Sequence, residues 1–163
     1  FGCGASTLWW AARARSAVSV EMDGAWHDRI AALAPDRVRL IHCPDGGRYP
    51  RAADAVEGPF DVVVVDGAER YRCAERALAR LAPGGLVVLD NADWYPNTAR
   101  RLRDAGLHQI DFVGFGPLNA YPWATSLFVP PGYPRLARHA DALAPIPGGV
   151  RLPGGALDDG PAG

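Results

Sequence analysis

Three groups of residues in this chain have types and spacings that can do chemistry. The first is Gly2-Cys3-Gly4-Ala5-Ser6-Thr7, a run of small residues that opens a helix-like stretch. Small side chains let a backbone pass close to a ligand, and a helix N-terminus offers unpaired N–H groups. Glu21 follows Gly2 by 19 residues, at the end of the next strand-like run. An acid there can accept both hydroxyls of a ribose. The second group is Asp66, Asp90 and Asn91, each at the end of a Val-rich run. Two carboxylates and an amide oxygen suit a hard cation such as Mg²⁺, with water and substrate oxygens completing the shell. Alternatively, Asp66 only shapes a ligand pocket and Asp90 only caps a strand end. The third group, Trp94, Tyr95, Asn119, Tyr121 and Trp123, falls in two loops, where the aromatics either wall a planar acceptor or pack the loops. The four histidines are isolated from any triad partner, and none is assigned a catalytic role.

Positioning these residues requires an alternating α/β chain. Val38 to His42, Phe60 to Val65 and Gly85 to Leu89 read as buried parallel strands, and Ala17 to Val20 as a shorter one. Helices are predicted over 6–14, 26–33 and 72–81, the last with apolar residues at 74, 77, 78 and 81 and a stop at Pro83-Gly84-Gly85. Such alternation implies right-handed βαβ units around a parallel sheet. Adjacent parallel strands lie about 4.8 Å apart, so the C-terminal ends of two neighbours can present Asp66 and Asp90 to one point. After a helix over 97–105, the strands 108–115 and 125–129 are too close for a crossover and should pair as an antiparallel hairpin. From Pro130 onward, 7 Pro and 7 Gly in 34 residues read as a disordered or loosely draped tail. The expected organisation is therefore one domain over 1–129 and a tail over 130–163. Only Phe1 precedes the glycine turn, where a central strand is expected, so the chain is read as a fragment lacking most of its first strand.

Composition excludes several roles. A net charge of −1 argues against general polyanion binding, and the Arg100-Arg101-Arg103 patch reads as a solvated helix face, so no nucleic-acid partner is expected. All 17 basic residues are Arg, which removes any catalytic lysine. No apolar run approaches the roughly 18 residues of a membrane span. Cys3, Cys43 and Cys73 have neither disulfide-framework nor zinc-site spacing, consistent with free thiols in a reducing, cytoplasmic compartment. Oligomeric state is unreadable.

Taken in order, FGCGAST, Glu21, CPDGG at 43–47, FDVVVVDG at 60–67 and LAPGGLVVLDN at 81–91 resemble class I S-adenosylmethionine-dependent methyltransferases over roughly residues 1–129. The resemblance implies a Rossmann-like sheet of order 3-2-1-4-5-7-6 with strand 7 antiparallel, in agreement with the hairpin. It also implies that Gly2, Gly4 and Ser6 line the methionine end of the cofactor, Glu21 its ribose, and that Cys3 and Met22 also bind it. Asp45 and Gly46 would lie at the adenine, with Asp66 closing the pocket. The methyl acceptor would be a small molecule, methylated at oxygen if the cation is real. Asp66 and Asp90-Asn91 are further similar to cation-dependent O-methyltransferases, which often continue Asp-Asn-x-x-Trp as here at Trp94. In those families the two Asp residues serve metal and catalysis, but they usually carry a lysine where this chain has Glu69. An NAD(P)-dependent oxidoreductase is the alternative, disfavoured by Thr7 in place of a third glycine, by the hairpin and by the lack of a Tyr-x-x-x-Lys signature. A non-catalytic nucleoside-binding domain is the other.

Overall fold

A computed structural model describes residues 1–116 and 120–133. The order is α1 (Ala5–Ala11), β1 (Ala17–Glu21), α2 (Gly24–Ala31), β2 (Val38–His42), a 3₁₀ segment (Tyr49–Ala55), β3 (Phe60–Val65), α3 (Arg70–Arg80), β4 (Leu81–Leu89), α4 (Pro96–Asp104), β5 (His108–Phe115) and β6 (Pro122–Val129). These lie in the compact unit Phe1–Tyr133. The expected tail falls, from position 134 onward, outside the described residues, as does Asn119.

The strands form two ladders, β1–β2 and β3–β4–β6–β5. β1 runs parallel to β2 and β3 parallel to β4, while β6 is antiparallel to both β4 and β5. Between the ladders lies the start of the chain. The Phe1 nitrogen donates to the Val64 carbonyl (2.6 Å), Asp66 N–H donates to Phe1 O (3.0 Å), and Gly2 N–H donates to Val20 O (2.9 Å). Backbone bonds to β3 on one side and to β1 on the other put Phe1-Gly2 at the expected central position. With β6 as the antiparallel strand, the observed sequence of neighbours is the one expected.

Against the expected ranges, α1, α2 and α3 lie at Ala5–Ala11, Gly24–Ala31 and Arg70–Arg80, β1 runs one residue further to Glu21, and three other boundaries move for a local reason. β4 begins at Leu81, because the chain leaves α3 directly into extended backbone and carries Pro83-Gly84 within the strand, across a register shift opposite Phe60 to Val62. α4 begins at Pro96, since proline at the first helical position has no N–H to lose and a preset φ. β6 begins at Pro122, because β5 extends pairing to Phe115↔Pro122.

The core follows from the valine runs. Val20, Val63, Val65, Val87, Leu89 and Phe128 bury against Cys73, Ala74 and Ala77 of α3 and against Ala99 and Leu102 of α4. Alanines on the helix faces let α3 and α4 approach the sheet closely. Arg76 and Arg80 both pair with Asp54, at 2.6 and 3.1 Å, tying α3 to the 3₁₀ segment. Among the described residues no helix is long and apolar enough to cross a membrane.

Candidate active site

The C-terminal ends of β1, β3 and β4 and the turn after Phe1 meet along one edge, where open α/β sheets bind ligands. Gly2 adopts φ +87°, and a Cβ there would stand 2.7 Å from the Asp66 carbonyl oxygen. Gly67 packs against it from the other side, since a Cβ on Gly67 would lie 2.3 Å from the Tyr49 hydroxyl and 2.7 Å from Gly2 N. Buried Tyr49 locks this crossing: its hydroxyl accepts from Gly2 N–H (2.8 Å) and donates to Val20 O (2.9 Å). Neither Tyr49 nor Gly67 was singled out from the sequence. Gly4 meets nothing nearer than Trp26 Nε1 at 4.0 Å, so the loop keeps open space there.

Glu21 joins the loop to the end of β1. Cys3 N–H donates to its Oε2 (2.9 Å), while Met22 and Asp23 N–H both donate to Oε1 (2.8 and 2.9 Å). Burial works to raise the Glu21 carboxyl, but these backbone N–H bonds outweigh it and hold the group below its ordinary value. A carboxylate oxygen has two lone pairs. Oε1 is therefore spent on backbone, and the Cys3 thiol also hydrogen-bonds this carboxylate beside the Cys3 N–H. Burial and the adjacent Glu21 push the Cys3 thiol up to about 12, so it is no nucleophile.

Ser6 is exposed in the first turn of α1, near the loop. Thr7 behind it is buried, accepts Gly4 N–H (3.2 Å) and bonds Ser19 Oγ (3.0 Å). The residue that breaks the dinucleotide fingerprint thus braces the turn from inside. Beyond β2, Asp45 Oδ1 accepts from Gly47 N–H (2.8 Å) and Arg48 N–H (3.4 Å), which shapes the loop. A Cβ on Gly46 would lie 3.8 Å from Met22 Cε and 3.5 Å from Glu69 Oε1. Met22 and Glu69 therefore meet beside Gly46, next to Asp45.

Asp66 and Asp90 also meet. Burial, the Asp90 charge and a hydrogen bond with Asp90 raise the Asp66 carboxyl to about 6, against the opposing pull of Arg70. The Asp66 side chain nonetheless stays 39% exposed, so a ligand can reach it. Asp90 Oδ1 accepts from Thr125 Oγ1 on β6. Asn91 sits in the left-handed region at φ 50°, a conformation asparagine tolerates. Among the described residues no three His, Cys, Asp or Glu side chains converge as a metal site. Arg70, missed from the sequence, lies instead among Asp66, Asp90 and Asn91. Its sequence signal is its place next to Glu69, the position at which the cation-dependent families usually carry a lysine.

The acceptor-side aromatics gather in part. Trp94, Tyr121 and Trp123 form a row with ring centroids 6.2 Å apart at each step, and Tyr95 covers the Arg70 guanidinium. Asp93 Oδ1 accepts Ala124 N–H (2.9 Å), holding the loop after β4 against β6.

This strand order, with its antiparallel penultimate strand and ligand edge, defines a Rossmann-like α/β protein of the class I methyltransferase type. A family model for a methyltransferase domain matches residues 1–92. The chain belongs to that family and is a class I S-adenosylmethionine-dependent methyltransferase. Solved structures share the fold. The N-methyltransferase NodS from Bradyrhizobium japonicum is 15% identical over 78% of this chain and 80% of that one, with a TM-score of 0.59. An rRNA methylase from Streptococcus thermophilus is 14% identical over 78% and 81%, TM-score 0.58. The Streptococcus mutans protein SMU.1697c, solved in complex with SAH, is 13% identical over 77% and 82%, TM-score 0.57. No curated protein matches the sequence.

Proposed function

We propose that this methyltransferase moves a methyl group to an oxygen of a small, planar acceptor, with Asp66 taking the acceptor's proton. The carrying observation is the meeting of the Gly2–Ser6 loop, Glu21 and the Asp66–Asp90 pair on one sheet edge. S-adenosylmethionine supplies an electrophilic methyl group on a sulfonium. In this reading Gly2, Cys3, Gly4 and Ser6 hold its methionine portion, Glu21 a ribose hydroxyl, and Met22, Asp45 and Gly46 the adenine. Asp66, raised toward neutrality by burial and by Asp90, is matched to accepting a proton near neutral pH. The row of Trp94, Tyr121 and Trp123, the first two exposed, supports an aromatic acceptor over a charged one. A cytoplasmic setting is consistent with the free thiols of Cys3, Cys43 and Cys73.

The test is calorimetry with S-adenosylhomocysteine combined with turnover on a phenolic acceptor panel. Glu21→Ala is expected to weaken binding about tenfold or more, the scale of one charge-assisted hydrogen bond. Asp66→Asn is expected to lose turnover while keeping most of its cofactor affinity. Full turnover in Asp66→Asn would remove it as the base.

A further inference from the structure

The place expected for a divalent cation is filled from within the chain by a positive charge. The Arg70 side chain is only 11% exposed. Its Nε donates to Gly67 O at 3.0 Å. Nη1 donates to the Asp90 carbonyl and, at 3.3 Å, to Asn91 Oδ1, while Nη2 donates to Asp66 Oδ1 at 3.3 Å. The Tyr95 ring covers the guanidinium, its centroid 4.4 Å from the central carbon. Of the five N–H donors of an arginine, four are thus placed, three of them on the residues expected to ligate Mg²⁺. A Mg²⁺ ion would claim such oxygens at about 2.0–2.1 Å in near-octahedral order. It would also sit against a fixed charge of its own sign. With Arg70 present, the donor set does not fit a cation.

We propose that Arg70 takes the place of the divalent cation: it offsets the charge of Asp66 beside Asp90 and clamps the ends of β3 and β4, so methyl transfer here needs no bound metal. This inference rests on the methyltransferase reading of the same sheet edge. Arg70 is a positioning residue, because it acts through the Asp66 carboxylate, the Asp90 backbone carbonyl and the Asn91 amide oxygen. The local backbone explains its reach. Glu69 adopts the left-handed region at φ 50° as the residue before α3, so the chain turns sharply and residue 70 enters the site. Glu69 itself lies beside Gly46 and Met22.

The experiment is thermal denaturation of the intact protein and of Arg70→Ala and Arg70→Lys. Mg²⁺ and Mn²⁺ are titrated at constant ionic strength, and S-adenosylhomocysteine is titrated in parallel. The wild-type midpoint is expected to be unmoved by either cation. Arg70→Ala is expected to melt lower without cation and to gain about 2–4 °C with it, because the Asp66 carboxylate, the Asp90 carbonyl and the Asn91 amide oxygen are left without their partner. Arg70→Lys should melt between the two and show a smaller cation response. An arginine that was merely structural would lower the midpoint without creating cation dependence. If Arg70→Ala does not fold, Mn²⁺ binding to the wild type by electron paramagnetic resonance decides the matter, and no binding is expected. Cation binding by the wild type that Asp90→Asn abolishes would overturn the proposal, as would a folded Arg70→Ala indifferent to both ions. Failure of S-adenosylhomocysteine to shift any variant would instead count against the methyltransferase reading, leaving the cation result standing.

Discussion

At the scale of single residues, the site depends on close approaches that only certain side chains permit. Gly67 is the sharpest case, pinned between the Tyr49 hydroxyl and Gly2 N. Gly67→Ala is expected to cost about 1–3 kcal/mol by overpacking, read from chemical denaturation, and to weaken cofactor binding because Gly2 is displaced with it. Asp66 has a pH signature of its own. Its folded pKa, about 6, lies above its ordinary 3.8, so between those values the folded state holds the proton more tightly than the unfolded chain. Stability contributed by this group is therefore present below pH 3.8 and lost as pH rises through about 6. Asp66→Asn removes that loss, and its melting midpoint relative to wild type is expected to rise between pH 4 and pH 7. A flat difference would show that Asp66 titrates normally. Glu21 and the Asp pair were legible from the sequence because each ends a Val-rich run. Tyr49 and Thr125 were not, since they act on partners 47 and 35 positions away, and Arg70 was not, since it joins nearby Asp66 to Asp90, 20 positions on.

At the scale of elements, the site is held by how strands end and how the next segment leaves them. The valine runs of β3 and β4 were readable because strands covered on both faces are nearly continuous in apolar residues. The hairpin of β5 and β6 was readable from its short connection. Less readable were the places where backbone geometry overrides residue preference. Pro83-Gly84, expected to separate helix from strand, lies within β4, because pairing of Leu81 with Phe60 begins the strand early. β6 matters more than an appended strand would. It buries Phe128 opposite Val87, and its Thr125 reaches back to Asp90. Phe128→Ala is expected to destabilise by about 3–5 kcal/mol, measured by urea denaturation. Loss below about 1 kcal/mol would mean that β6 is peripheral to the core.

At the scale of the whole molecule, Phe1-Gly2 bridges the two ladders, its backbone bonds reaching Val64 and Asp66 on one side and Val20 on the other. The glycine turn, the ribose acid and the paired carboxylates therefore share one edge, and the cofactor should bridge elements from both ladders. Such a ligand stabilises the native state by linkage, adding about 2.7 kcal/mol at 100 times its dissociation constant. The most direct test of the central claim is a thermal-shift comparison of S-adenosylhomocysteine and NAD on the same protein. A raised midpoint with S-adenosylhomocysteine and none with NAD is the result this account expects. A shift with NAD alone would contradict it.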